Sequence, residues 1–476
     1  MRYRITVLPD RQVLDARHGE TLQAVLRRVG LAVDAPCGGQ GTCGKCIVLA
    51  DGQAVPACRT PVDRDMTVVL PESKGAPTVV PKNGVRDMWH LAIDLGTTTV
   101  VGYLLDAATG KELARCSLPN PQGSYGADVV SRIRWALNGQ MDALTGSIRG
   151  CLEKLTKELC CRGGRLPEGL ERVCLVGNPA MQQLFLGILP DNLARIPFDP
   201  LLKQGRTEDA GAYLALWKGA VLLTVPDISG FVGADTVACI LAAELDRREK
   251  LTLLVDIGTN GEMVLGSRGG LTACAAAAGP ALEGANISCG MRGIPGAIDH
   301  VWIENGALCH SVIGGEGAAG ICGSGLVDAV AAALELGLLD SRGKVLKGDA
   351  IFLTDRVKLT QEDIRQVQLA KGAIAAGIEL MAARMGKTLS DIDEVLLAGA
   401  FGAAMDPDSA CRMGLLPREL AGKVTAIGNA AGEGAKLLAL DPGLLAGADR
   451  IAAETEFMEL SAEPSFRRCF ARCMRF

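Results

Sequence analysis

Two short apolar strands in this chain end in the same kind of turn. Ile93-Asp94-Leu95-Gly96-Thr97-Thr98-Thr99 closes one, and Val255-Asp256-Ile257-Gly258-Thr259-Asn260-Gly261 closes the other. The two Asp-x-Gly-Thr turns stand 256 − 94 = 162 residues apart. A hydroxyl-rich turn with glycine offers backbone N–H groups and side-chain donors to phosphate oxygens. The aspartates Asp94 and Asp256 suit magnesium-bound water. One such turn alone is also a plain hairpin. Two of them, each behind an apolar strand, suggest two related α/β lobes facing one nucleotide.

The flanking pattern fits that reading. Trp89–Leu95 and Val100–Asp106 are apolar strands, and helical patterns follow at 127–138 and 141–160. Ala234–Leu245 reads as a helix, and Leu251–Ile257 repeats the scheme of Leu91–Leu95. Later helices are expected near 325–337, 361–384 and 432–440, with a strand at 394–398.

The first seventy residues differ. Tyr3, Ile5 and Val7 alternate onto one face of a strand. Residues 11–16 form a return strand, and Leu22, Val25, Leu26 and Val29 lie at helical spacing. More strands follow, with Asp51-Gly52 as a hairpin turn. This is a β-grasp-like order. Cys37, Cys43 and Cys46 stand as C-x5-C-x2-C, and Cys58 follows after eleven residues. Gly38, Gly39, Gly41 and Gly44 lie among them. A 2Fe–2S cluster takes four thiolates, and glycine permits the close backbone approach that lets N–H groups reach its sulfurs. A four-cysteine zinc site is the alternative, but such sites usually show two C-x2-C knuckles. Gly39-x4-Gly44-Lys45 nearly spells a phosphate loop, yet Cys46 stands where Ser or Thr should bind magnesium.

Charge and composition remove other classes. The chain has 49 Lys/Arg against 54 Asp/Glu over 476 residues, a net charge of −5. That is not the basic footprint of a nucleic-acid binder. No apolar run reaches the ~18 residues of a membrane span, and the start lacks the apolar core of a signal peptide. A cytoplasmic protein with no membrane partner is expected. There, 17 cysteines are not a disulfide framework.

Around the two turns, the chain resembles the superfamily of actin, sugar kinases, acetate kinase and heat-shock chaperone ATPases. Gly233-Ala234-Asp235 corresponds to the start of the first connecting helix. Residues 395–402, with Gly399 and Gly402, look like the adenosine motif. Residues 428–435, with Gly432, look like the second connecting helix. Gly323-Ser324-Gly325 is a further Gly-rich turn that either touches nucleotide or starts a helix. Asp227 and Asp235 are candidates to orient the attacking water, or else helix caps. Gln366, Gln368 and Lys371 are spaced to reach adenosine or to form a solvated helix face.

The N-terminal region resembles the plant-type ferredoxin domain, with a first gap one residue longer than C-x4-C. A ferredoxin module fused to such an ATPase resembles the reductive activators of corrinoid proteins that serve methyltransferase and O-demethylase systems. The blocks 120–129, 177–181, 226–235 and 278–284 extend that resemblance over nearly the whole chain. It implies a ferredoxin-type domain at 1–72, a linker at 73–88, and a two-lobed, actin-like (ribonuclease H-like) ATPase. The lobes are expected at 89–250 and at 251–476 with a C-terminal tail. It implies ATP with Mg, and a 2Fe–2S cluster on Cys37, Cys43, Cys46 and Cys58. The expected activity is ATP-driven one-electron reduction of inactive Co(II) to Co(I) on a corrinoid protein. A low-potential donor such as a ferredoxin or flavodoxin is implied, and a homodimer is admitted.

Two other readings compete. Activators of 2-hydroxyacyl-CoA dehydratases carry a similar ATPase with a bridging 4Fe–4S cluster, for which Cys289 and Cys322 are the available thiols. A metabolite kinase with a redox-sensing ferredoxin domain is the other. Cys469 and Cys473 lie four apart on a C-terminal helix. Two thiols alone make a poor metal site, so this stretch reads as a packing tail.

Overall fold

The computed structural model describes residues 2–8, 12–28, 47–69, 87–126, 128–258, 260–315 and 317–476. Cys37, Cys43, Cys46, Thr259 and residues 73–86 of the expected linker therefore lie outside the described residues. The chain divides into two compact units, Met1–Lys82 and Asn83–Phe476.

The first unit contains β1 (Arg2–Leu8), β2 (Gln12–Arg17), α1 (Leu22–Arg28), β3 (Ile47–Ala50), β4 (Gln53–Pro56) and β5 (Met66–Val69). They form one sheet in the order β2-β1-β5-β3-β4. β1 and β5 run parallel, and the other pairs antiparallel. This is the β-grasp arrangement. The alternation of β1 turns Ile5 and Val7 inward onto Leu22, Val25 and Leu26 of α1. The β3–β4 turn places Asp51 at φ +49° and Gly52 at φ +82°. That is the primed turn whose twist matches paired strands, and Asp-Gly is among the pairs that favour it.

The second unit begins with β6 (Trp89–Leu95), β7 (Thr99–Asp106), β8 (Glu112–Pro119), α2 (Val129–Trp135), α3 (Met141–Gly163), β9 (Leu170–Gly177), α4 (Pro179–Leu186), β10 (Arg206–Asp209), β11 (Val221–Thr224) and α5 (Ala234–Ala242). α2 stops short of its expected end. Gly139 at φ +85° sits in the wider turn that separates it from α3. Next come β12 (Thr252–Ile257), β13 (Gly261–Ser267), β14 (Gly270–Ala276), β15 (Ala297–Glu304), β16 (Ala307–Val312), β17 (Gly320–Ile321), α6 (Gly323–Glu335), β18 (Ala350–Phe352), β19 (Lys358–Thr360) and α7 (Gln361–Arg384). The chain finishes with β20 (Glu394–Ala398), α8 (Gly399–Ala404), α9 (Pro407–Arg412), β21 (Val424–Gly428), α10 (Ala430–Leu440), α11 (Leu445–Glu454), β22 (Glu456–Phe457) and α12 (Phe466–Cys473).

The duplication seen in the turns is also a duplication of topology. One sheet has the order β10-β11-β9-β6-β7-β8 and the other β21-β20-β12-β13-β14-β22. β6 pairs antiparallel with β7 and parallel with β9. β12 pairs antiparallel with β13 and parallel with β20. The two aspartate-bearing strands thus hold equivalent places.

Both sheets lean on one pair of helices. Val101 and Val176 of the first sheet, Val237 and Ile240 of α5, Leu254 and Leu396 of the second sheet, and Ala435 and Leu438 of α10 share one buried cluster. α10 follows β21 but returns to the first sheet. Arg172 of β9 donates to the Ala439 carbonyl at 2.5 Å, and Lys436 pairs with Glu112 at 2.9 Å. α5 and α10 meet almost backbone to backbone, because a Cβ on Gly434 would lie 2.1 Å from the Ala238 carbonyl oxygen. Gly434→Ala is therefore expected to destabilise this unit by about 1–3 kcal/mol through overpacking. A fall in the urea midpoint at unchanged slope is the checking measurement.

Candidate active site

The two Asp-x-Gly turns stand at the ends of β6 and β12, above the α5–α10 pair. In the first turn, distant side chains grip the carbonyls. Asn120 Nδ2 donates to the Gly96 carbonyl at 2.9 Å, and Arg132 Nη2 to the Thr97 carbonyl at 2.7 Å. The Asn120 amide donates to the Thr98 carbonyl at 2.9 Å. In a trans peptide the next N–H points opposite to the carbonyl. The N–H groups of Thr97 and Thr98 therefore aim away from this support, as phosphate binding requires. Asn178 caps α4 and donates to Thr97 Oγ1 at 3.0 Å. Arg132 is 1% exposed, and burial lowers its pKa to about 10, so it remains a cation.

The second turn is narrower. Gly258 N–H donates to the Asn260 carbonyl at 2.8 Å. Gly261 packs close to Ile374 of α7. Thr259 lies outside the described residues. Gly399 passes over Asp256 at φ +80°, where a Cβ would stand 2.5 Å from Asp256 Oδ1. Only glycine permits both the left-handed backbone and that approach. Across the cleft, Thr98 Oγ1 donates to Glu283 Oε2 at 3.0 Å, joining the two lobes.

Between the turns lies a group of carboxylates. Asp94 accepts from Asn429 Nδ2 at 2.8 Å; Asn429 also caps α10 through Gly432 N–H at 2.9 Å. Burial lifts the Asp94 pKa to about 6 against that hydrogen bond. Asp256 is lifted to about 7, by burial and then by the charge of Asp94. Asp235, in the first turn of α5, is also lifted to about 7, mainly by burial. Its hydrogen bond from Thr236 N–H opposes the rise, while the charges of Asp94 and Asp256 add to it. Glu262 is raised as well, by burial and then by the charges of Asp235 and Asp256. Asp227 stands behind them at 3% exposure, accepting from Gln182 Nε2 at 2.8 Å and from Ala234 N–H at 3.2 Å. Its pKa is raised by burial and then by Asp235.

Hard oxygen donors that repel one another fit a divalent cation with its waters. One outcome is measurable without nucleotide. The unfolded carboxylates titrate near pH ~4, whereas Asp94, Asp235 and Asp256 hold their protons up to about 6, 7 and 7. The native state then binds more protons, so stability falls as pH rises through that window. Cation-free protein is expected to melt progressively lower from about pH 5 to 8, and magnesium at the upper end is expected to restore the loss.

The remaining sequence candidates take different places. Gly323, Ser324 and Gly325 are buried at the start of α6. A Cβ on Gly323 would strike the Leu282 carbonyl, and one on Gly325 the Ile298 carbonyl. Ser324 Oγ donates to the Asp299 carbonyl at 2.8 Å. Gly402 is buried against Leu397, and Gly432 lies on the Tyr103 ring. These are close-packing positions. Gln368 and Lys371 are held by the C-terminal segment. Gln368 Nε2 donates to the Met474 carbonyl at 2.8 Å, and Lys371 Nζ donates to the Arg475 carbonyl. Cys322 is 6% exposed beside Ser324, and Cys289 Sγ lies 3.7 Å from the Arg356 carbonyl. In the first unit, Cys58 is 8% exposed in the core beside Ala57 and Val62. A dry setting of that kind suits an iron-bound thiolate.

Asn120, Asn178, Asn429 and Glu283 stand in the motif blocks, but no local pattern assigns them a role. Arg132 and Glu262 stand outside those blocks. Glu262 adjoins the second turn, a usable signal. Arg132 carries none, since only folding brings α2 to residue 97.

This fold and cleft define an ATPase of the actin-like class. Residues 5–68 match the family model for a 2Fe-2S iron-sulfur cluster binding domain. Residues 89–248 match the RACo middle region, and 250–476 the C-terminal domain of RACo, the ASKHA domain. The corrinoid activation enzyme RamQ of Eubacterium limosum is 36% identical over 411 residues, covering 80% of this chain and 69% of RamQ. The [Co(II) methylated amine-specific corrinoid protein] reductase of Methanosarcina barkeri is 27% identical over 374 residues, covering 72% and 68%. A solved reductive activator for corrinoid, iron-sulfur protein superposes with a TM-score of 0.73 at 25% identity, covering 100% of this chain and 98% of its own. The chain belongs to the family of reductive activators of corrinoid proteins.

Proposed function

We propose that this protein uses ATP to return the cobalt of a corrinoid protein from inactive Co(II) to Co(I). The observation that carries the reading is one chain holding both a ferredoxin-type unit and a cleft of buried carboxylates between two Asp-x-Gly turns. Recovery of Co(I) is uphill from an ordinary ferredoxin. For one electron, ~59 mV is tenfold, so a gap of about 150 mV costs roughly 3.5 kcal/mol. ATP must bind two conformations of the lobes unequally to supply it.

In this reading Asp94 and Asp256 hold the magnesium waters. The turns at 96–99 and 258–261 cradle phosphates, and Gly399 opens the adenosine side. Asp235 orients the attacking water, because it borders the cleft while Asp227 is sealed behind it. Cys37, Cys43, Cys46 and Cys58 ligate the 2Fe–2S cluster, which supplies one electron when bound. The working divisions are 1–72, a linker at 73–88, 89–250 and 251–476. A low-potential ferredoxin or flavodoxin feeds the cluster, in the cytoplasm, and a homodimer is compatible with this reading. No helix among the described residues is long and apolar enough to cross a membrane.

The test mixes the protein, a corrinoid protein as Co(II), and a chemical reductant, with and without ATP. Co(I) absorption appearing only with ATP supports the proposal. Reduction indifferent to ATP overturns it.

A further inference from the structure

The C-terminal helix brings together a group that the corrinoid chemistry does not use. Cys469 and Cys473 stand one turn apart on α12 and face α7, where Glu379 meets them. Cys469 Sγ lies 3.9 Å from Cys473 Sγ. Glu379 Oε2 is 3.4 Å from Cys469 Sγ, and Glu379 Oε1 is 3.3 Å from Cys473 Sγ. The thiols are 7% and 8% exposed, packed with Ala375 and Ala376 of α7. The Glu379 side chain is 27% exposed, which leaves a path for an ion.

We propose that Cys469, Cys473 and Glu379 bind a zinc ion that fastens α12 to α7. Zinc binds thiolate at about 2.3 Å and carboxylate at about 2.0 Å. A tetrahedron with those bonds sets sulfur about 3.8 Å from sulfur and about 3.5 Å from oxygen. The sulfur–sulfur separation and the distance from Cys473 Sγ to Glu379 Oε1 lie within a few tenths of an ångström of those values, and one carboxylate oxygen and the two sulfurs all lie within 4.8 Å of one another. Two sulfurs and one oxygen leave the fourth corner to water, a pattern zinc accepts.

The surroundings balance the charge. Two thiolates and a carboxylate exceed the ion by one negative charge. Arg472 ion-pairs with Glu379, and its Nη2 is 3.4 Å from Cys469 Sγ. It stays as an outer partner of the free carboxylate oxygen, as ligating carboxylates usually require. Lys371, the other nearby cation, is buried on α7 and already donates to the Arg475 carbonyl. Binding releases both thiol protons to solvent, so no oxidant or reductant is needed. The anchor has a structural consequence. α7 also carries Ile374, which touches Gly261 of the second turn.

The test uses the full chain with its iron–sulfur cluster in place, its thiols reduced and counted. Cobalt(II) is added as a spectroscopic substitute, then zinc. One equivalent of cobalt is expected to produce an ultraviolet sulfur-to-cobalt charge-transfer band that zinc removes. The double variant Cys469→Ser/Cys473→Ser is expected to lose that band and keep the cluster absorption. Cobalt at the carboxylate cleft gives no thiolate band. An unchanged band in the double variant overturns the proposal. A second measurement needs no variant. Zinc is expected to slow alkylation of Cys469 and Cys473 at least tenfold, read by peptide mass spectrometry. Equal labelling rates with and without zinc, or a Cys469–Cys473 disulfide that resists the reductant, also overturn it.

Discussion

Asp256→Asn is expected to abolish ATP-driven Co(I) formation while making the protein more heat-stable. The two effects share one cause. Asp256 sits at the end of β12 with its pKa lifted to about 7 by burial and by the charge of Asp94. At neutral pH that proximity is repulsive in the cation-free protein. Asparagine keeps the shape, which matters because Gly399 leaves no spare room over Oδ1, and it removes one of the repelling charges. Melting near pH 8 should therefore rise in the variant and lose most of its dependence on magnesium. Activity should fall by a factor on the order of 10² or more, the usual cost of removing one preorganised electrostatic contact. ATP turnover and scanning calorimetry on the same preparation check both halves. A variant that loses activity and also melts lower would mean that Asp256 has a purely structural role.

Cys43→Ser should instead separate Co(I) formation from ATP hydrolysis. In the proposed reading Cys37, Cys43, Cys46 and Cys58 give the cluster its four thiolates, and serine at one corner removes a sulfur ligand. Co(I) formation should drop to the rate of the reductant alone. ATP hydrolysis should persist, because the carboxylates and both turns lie in the other unit. Cys161→Ser, at an exposed position on α3, should change neither. Cobalt absorption and phosphate release, followed in parallel, separate the outcomes. Full Co(I) formation by Cys43→Ser would remove the ferredoxin-type unit from the electron path.

The legible part of this site was local. Asp94 with Gly96, and Asp256 with Gly258, are two residues apart in each turn, and the strand before each is a short apolar run. A pattern of that length survives in sequence because the backbone turn itself demands it. The connecting helices were legible for a similar reason, since Gly434 marks a helix that must touch another backbone. The groups that hold the first turn were not legible. Asn120, Arg132 and Asn178 reach residues 96–98 across 24, 35 and 81 positions. Asn429 reaches Asp94 across 335. Nothing in the spacing of an asparagine announces which carbonyl it will meet.

Gln368 and Lys371 show the converse. Their helical spacing leaves adenosine and a solvated face as alternatives, and what they meet in the fold is the C-terminal segment, at the Met474 and Arg475 carbonyls. Cys469 and Cys473 changed meaning in the same way: two thiols on a helix are packing residues until α7 adds a carboxylate. Periodicity and turn chemistry settled the β-grasp unit, the duplicated lobes and the paired aspartates, since these depend on neighbours within one strand, turn or helix. Tertiary structure alone decided which acids share a cleft, how far each pKa rises, and which polar side chains support the phosphate turn. Those properties depend on desolvation and on distances of 3 to 4 Å between remote segments, and chain order does not encode them.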